Sequence, residues 1–284
     1  MDSKVIYTPK GPAYETRFRY LLTTRLMLRE LITGRGLIWR LFIRDFTAKY
    51  RQSALGIAWA LIMPLVTIVI FVGMRQSGIL NIKATDIPYP LYALIGLTIW
   101  SLFSVGLAAG ANSLINAGSM IVKINFPKIA LVFSATGQGI VELLIRTALV
   151  ALVFVYYQTT PDWLGTLLAL LCLIPLYLMT VGLGFFFSLL GGVLRDIGNM
   201  LNMLLMGGLL ITPILYPING SSLLADLNNW NPFNYLINTP RDLVLRGHTD
   251  HLVEFGASTV LSLIIFYIGW RFFYLAQTKI AERI

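Results

Sequence analysis

Long stretches of this chain carry no charged side chain, and they limit what it can fold into. Ala54 to Met74, Pro90 to Asn112, Trp163 to Leu194 and Ile197 to Tyr216 are free of Asp, Glu, Lys and Arg. A helix needs about 20 apolar residues to cross the hydrocarbon core of a bilayer. Two further runs have that length with few charges. Ile129 to Tyr157 contains Glu142 and Arg146, and Phe255 to Ala276 contains Arg271 near its end, where a long stem can snorkel to the interface. Charged residues make up 12% of the 284-residue chain, about half the usual ~25% of soluble domains. The sequence therefore predicts an all-α membrane protein with six transmembrane helices.

Six spans put both termini on one side. Eleven of the 22 Lys and Arg precede residue 54. With the N-terminus inside, 17 basic residues fall in cytoplasmic segments and four (Arg75, Lys83, Arg241 and Arg246) in external ones. The positive-inside rule then sets the termini in the cytoplasm. The same rule, with anionic headgroups, accounts for the net charge of +9 without nucleic acid. The N-terminus lacks the short apolar core of a cleavable signal peptide, so the run from Ala54 is expected to be retained. The one cysteine, Cys172, excludes an internal disulfide.

Residues 37–53 read as a helix lying in the membrane surface. Arg40, Arg44, Thr47 and Arg51 form one polar stripe, with Leu37, Ile38, Leu41 and Phe42 on the other side. A soluble helix packed on its own domain is the alternative. The expected order is a cytoplasmic extension (1–36), this interface helix (37–53), the membrane domain (54–276) and a cytoplasmic tail (277–284). The segment from Pro217 to Leu252 is amphipathic and broken by proline, which suits short external helices dipping into the outer leaflet; a plain external loop is the alternative.

Glu142 and Arg146 stand four apart inside a span, on one helical face. A charge there costs about 2.5–3.5 kcal/mol on insertion scales. Two readings remain open: a polar patch near a substrate path, or an ion pair that locks helix packing. Tyr92, Trp100 and Phe103 offer ring faces to a sugar path or, equally, to lipid. Gly106 and Gly110 have the spacing of a close helix contact. His248, Asp250 and His251 lack a further strong ligand nearby and read as loop rather than metal site. No catalytic constellation is visible.

Three segments together resemble the permease subunits of type-2 ATP-binding-cassette exporters, in the O-antigen, capsule and teichoic-acid branch. The first is Arg44-Asp45, Lys49-Tyr50-Arg51, Ser53, Leu55-Gly56, Trp59 and Pro64. The second is Asn112-Ser113, Asn116, Ile121, Lys123 and Phe126-Pro127-Lys128. The third is Arg195-Asp196, Thr212-Pro213, Tyr216-Pro217, Asn231-Pro232 and Arg241. The likeness covers roughly residues 37–276. Val132 stands where the family often has a second proline.

The resemblance implies an inner-membrane permease for lipid-linked polysaccharide, working as a homodimer with two ATPase subunits. ATP and Mg would be held by that partner, since this chain has no Gly-x-x-x-x-Gly-Lys-Ser/Thr cradle. It implies that Arg44, Lys49, Arg51, Lys123, Phe126, Pro127, Lys128, Arg195 and Asp196 couple to the ATPase. Tyr92, Trp100, Phe103, Glu142, Arg146, Pro213, Tyr216, Asn231, Pro232 and Arg241 would line the path or gate. A type-2 exporter of a drug or small lipid is the neighbouring reading. A secondary transporter or channel would want unpaired intramembrane carboxylates and repeated halves, and a membrane glycosyltransferase would want acidic or metal-binding motifs; neither pattern is present.

Overall fold

The structure, a computed structural model, describes residues 5–8, 11–14, 19–51, 56, 58–77, 87–118, 120, 126–194, 196–216 and 223–280. Among the described residues two short elements depart from helix. Strands β1 (Val5–Thr8) and β2 (Gly11–Tyr14) pair antiparallel, with Thr8 opposite Gly11.

Two helices precede the first apolar one: α1 (Arg19–Thr33) and α2 (Arg35–Arg51). Their amphipathic pattern decides what they bury. Met27 of α1 and Leu41 of α2 are enclosed, while Arg40, Arg44 and Thr47 stay exposed. Tyr274 donates to Glu30 of α1 at 3.4 Å, and the Thr24 and Tyr267 hydroxyls meet at 3.3 Å.

The apolar helices are α3 (Ala58–Gln76), α4 (Tyr89–Ala111), α6 (Ile129–Tyr156), α7 (Trp163–Val193), α8 (Ile197–Ile211) and α11 (Leu252–Ile280). Between them lie α5 (Ser113–Ala117), α9 (Leu223–Asn229) and α10 (Pro232–Arg246). Among the described residues four helices, α4, α6, α7 and α11, are long and apolar enough to cross a membrane. The other two apolar runs give shorter stretches, Ala58–Met74 and Ile197–Ile211. The expected fifth span, Ile197 to Tyr216, is thus cut short. Its 15 helical residues rise about 22 Å at 1.5 Å each, against a hydrocarbon core of ~30 Å. Helix α8 stops because Pro213 has no N–H to continue the ladder, and residues 212–216 turn away.

Helix α4 is enclosed along most of its length, against α6 and α7; α7 also lies against α10 and α11, and α2 against α6. Glycines set the closest crossings. A Cβ on Gly139 of α6 would strike the Leu102 carbonyl and the Gly106 backbone of α4. One on Gly182 of α7 would lie 2.6 Å from the Phe266 Cα of α11, and one on Gly110 would lie 3.3 Å from the Gly184 Cα. Backbones in lipid gain little from apolar burial alone, so close packing of small residues supplies the association. Val132, the departure from the family's proline, is an ordinary helical residue, fully buried beside Gly110 and Gly184.

Gly139→Leu must therefore push α4 off α6, an overpacking cost of about 1–3 kcal/mol or more. Membrane-inserted protein should fall several-fold by immunoblot. Gly73→Ala, with nothing within 4 Å of the added carbon, should leave it unchanged.

Candidate functional site

Three charged side chains meet between α2 and α6. Lys49 Nζ lies 3.0 Å from Glu142 Oε2. Arg146 Nε and Nη2 donate to Glu142 Oε1 at 3.1 and 2.9 Å. Glu142 is 4% exposed. Its burial is tolerable because both oxygens accept charge-assisted hydrogen bonds. Sequence spacing pairs Glu142 with Arg146; Lys49, which the family resemblance assigns to ATPase coupling, joins them only in three dimensions. Lys49 follows Phe42 by seven residues and shares its face of α2. On that face the Phe42 ring packs on Gly137, and the Phe42 carbonyl accepts from Gln138 Nε2 at 3.3 Å.

Beside this cluster lies an open groove of about 470 Å³. Lys49, Ser104, Asn112, Asn116, Gln138 and Asn202 give it polar groups from α2, α4, α5, α6 and α8. Val105, Ala108, Ala109 and Leu205 complete the lining, so the groove is amphipathic, with hydrogen-bonding groups set in an apolar wall.

At the other end of α4, Arg241 of α10 is 2% exposed and spans the turn after α8. Its Nη1 donates to the Ile214 carbonyl at 3.1 Å and the Pro213 carbonyl at 3.4 Å. Its Nη2 donates to the Tyr92 hydroxyl at 2.6 Å and to Asn238 Oδ1. The guanidinium carbon sits 3.7 Å from the Tyr92 ring centroid. Gly96 makes this possible, since a Cβ there would lie 2.7 Å from the Ile214 carbonyl oxygen and 3.1 Å from the guanidinium.

Asparagines complete the joint. Asn231 caps α10 by accepting from Phe233 N at 3.0 Å and donates to Thr212 and Asn228. Pro232 follows at the first helical position, where its missing N–H costs nothing. Asn228 Nδ2 reaches the last carbonyl of α8, Ile211, at 2.8 Å. Pro213 is buried, and the Tyr216 hydroxyl donates to the Leu210 carbonyl. Asn231, Asn234 and Asn238 recur at helical spacing, a signal that sequence reading passed over.

The remaining candidates are dispersed. Arg44 pairs with its neighbour Asp45 at 2.7 Å and donates to Met120 Sδ at 3.5 Å. Phe126 and Pro127 are half-buried, and the Pro127 carbonyl accepts from Ala130 N in the first turn of α6. Burial pulls the Lys128 ammonium below the ordinary lysine range. Asp196 is exposed, and its carbonyl accepts from Met200 N. Lys123, Arg195, Pro217 and the side chain of Arg51 lie outside the described residues. Trp100 and Phe103 pack with Phe233 in a buried cluster, 6.0 and 4.4 Å from its ring centroid, so protein covers the faces expected to meet sugar. Among the described residues no three His, Cys, Asp or Glu side chains gather as a metal site.

Comparison with known proteins bears on the whole arrangement. The chain is 27% identical over 197 residues to an O-antigen export system permease protein of Myxococcus xanthus, covering 68% of this chain and 73% of that one. It is 26% identical over 215 residues to the corresponding Klebsiella pneumoniae protein, covering 73% and 80%. It is 22% identical over 238 residues to a polysialic acid transport protein of Escherichia coli, covering 81% and 89%. Residues 36–245, from the start of α2 to the end of α10, match the family model for the ABC-2 type transporter. That span holds both the buried charge cluster and the Arg241 joint, and the chain belongs to the ABC-2 type transporter family.

Proposed function

We propose that this chain is the membrane permease of an exporter that carries lipid-linked polysaccharide from the cytoplasm across the bacterial inner membrane, powered by a separate ATPase. One observation carries the reading: the basic helix α2 is tied by Lys49 to a buried carboxylate, and the same lysine lines the amphipathic groove between α4, α6 and α8. A push on α2 therefore reaches the groove directly. The relatives named for O-antigen and polysialic acid transport support a glycan as the cargo.

In this reading α3 and α8 complete six spans, α8 as a short one whose outer end is finished by the turn at Thr212–Tyr216. Both termini face the cytoplasm, as the Lys and Arg asymmetry favours. Helix α2 lies in the inner membrane surface. Two copies of the permease and two ATPase subunits make the transporter, with ATP and Mg held by the ATPase. The outward face of α8 supports pairing: Met203 and Met206 are 79% and 68% exposed, on an apolar helix next to the groove. The Arg44 and Phe126–Lys128 regions receive the ATPase stroke, and α9 and α10 form the outer gate, hinged at Thr212–Tyr216.

Deletion should leave polymer in the cytoplasm, seen by fractionation and glycan staining, and the purified permease alone should not hydrolyse ATP. Wild-type surface polymer in the deletion strain, or turnover by the permease alone, overturns the reading. Accumulation of a drug or small lipid with polymer export intact would move the cargo to the neighbouring class.

A further inference from the structure

A second cavity, of about 660 Å³, opens between α6 and α7 on the side of their connecting loop. Its walls are apolar: Ile95 and Ile99 of α4, Val150 and Phe154 of α6, Leu173 of α7, roofed by Pro240 and Val244 of α10. Consecutive helices joined by a short loop normally close on each other; here they splay at that end and leave a wedge. The rim is different. Gln158, Thr160 and Trp163 stand there, exposed. Gln158 holds a φ of 52°, the one left-handed non-glycine residue among those described, a conformation that L side chains rarely adopt.

A greasy slot under an amphipathic rim, between two membrane-crossing helices, matches one chemistry. We propose that this cavity holds an acyl chain of a bilayer phospholipid, with the glycerol and headgroup at Gln158, Thr160 and Trp163. Both helices are long and apolar enough to cross a membrane, which puts lipid at the mouth of the wedge, and a Trp at a helix end suits headgroup level. The occupant must come from the surroundings, because open apolar space at that depth is filled by hydrocarbon rather than water. Placement in the outer leaflet rests on the orientation given above; the lipid identity does not. Seated there, the chain props α10 and its Arg241 joint through Pro240 and Val244, making gate stability sensitive to lipid.

The test uses the permease with its ATPase partner in vesicles of phosphatidylethanolamine and phosphatidylglycerol, with a trace of phosphatidylethanolamine bearing a diazirine on one acyl chain. After photolysis and peptide mapping, the α6–α7 wedge should carry at least fivefold more label than the exposed leucines of α7 outside the cavity, such as Leu171. Ala151→Trp, on an exposed lining position, should fill the slot and remove that excess while membrane yield stays unchanged. Equal labelling on wedge and outer leucines overturns the site. Displacement of the label by added polyprenyl phosphate also overturns it, assigning the slot to the cargo's tail. Disulfide crosslinking between two copies through Val155→Cys would instead make it a protein interface. Labelling is read without export, so a wrong cargo leaves this result standing and a failed label leaves the transport reading intact.

Discussion

Arg241→Ala will abolish polymer export while leaving the helical core inserted. Arg241 is buried and satisfies two backbone carbonyls, Tyr92 and Asn238 at once. Truncation strands those acceptors in a cavity the size of a guanidinium. Each hydrogen bond to a charged group contributes about 1.5–3 kcal/mol. Because the four act together, a loss on the order of 4 kcal/mol at the joint is the sensible scale. The α4–α6–α7 crossings do not involve this side chain, so the loss falls on α9, α10 and the turn after α8. Expected results are surface polymer below a tenth of wild type, near-normal membrane abundance, and new protease cleavage near Trp230. Arg241→Lys should rescue little, since an ammonium cannot span both carbonyls and the tyrosine face. Tyr92→Phe keeps the ring, loses one bond and should cost export several-fold less than Arg241→Ala. If instead Arg241 gripped the cargo, Asn238→Ala and Tyr92→Phe would export normally. Full export by Arg241→Ala would sink the clamp outright.

The contrast between this joint and the long helices shows what was legible in the sequence. Spans two, three, four and six are written as charge-free or charge-poor runs. The structure returns them within a few residues as α4, α6, α7 and α11. The fifth run ends as a helix at Ile211, earlier than its hydropathy suggests, because Thr212, Pro213, Ile214 and Leu215 are as apolar as the helix before them. What bends the chain there is a proline and an arginine 27 residues beyond Ile214, and hydropathy registers neither. Gly106 marked its crossing correctly, since spacing of small residues is a local signal, and its partner Gly139 came only with the fold. The aromatics of α4 looked suited to sugar because composition does not reveal which rings another helix covers; Phe233 covers Trp100 and Phe103. Of the buried charges, the i,i+4 pair was readable, whereas Lys49 stands 93 residues from Glu142.

That distant lysine makes a graded result expected from the charge cluster. Glu142→Ala removes the acceptor from both cations. Arg146 is 15% exposed at its side chain and loses its partner at depth, whereas Lys49 is 40% exposed and can turn to water. Breaking a buried pair from one side costs about 3–5 kcal/mol, and an exposed pair is worth about 0–1 kcal/mol. Glu142→Ala should therefore cut membrane abundance most, and Glu142→Ala/Arg146→Ala should recover much of it, because no charge is left stranded. Lys49→Ala keeps the two Arg146 hydrogen bonds on Glu142 and should leave abundance near wild type. Its effect should appear in export, which drops tenfold or more if α2 drives the groove through this contact. ATP hydrolysis by the assembled complex should persist in that variant, uncoupled from polymer movement. Restoring the contact with Lys49→Arg should return export, since the longer guanidinium still reaches Glu142. If Lys49→Ala exports normally while Glu142→Ala fails, the carboxylate serves packing alone and the stroke enters by another route. If Glu142→Ala and Lys49→Ala lose abundance equally, burial does not rank these charges, and the distinction between the anchored arginine and the water-facing lysine is wrong.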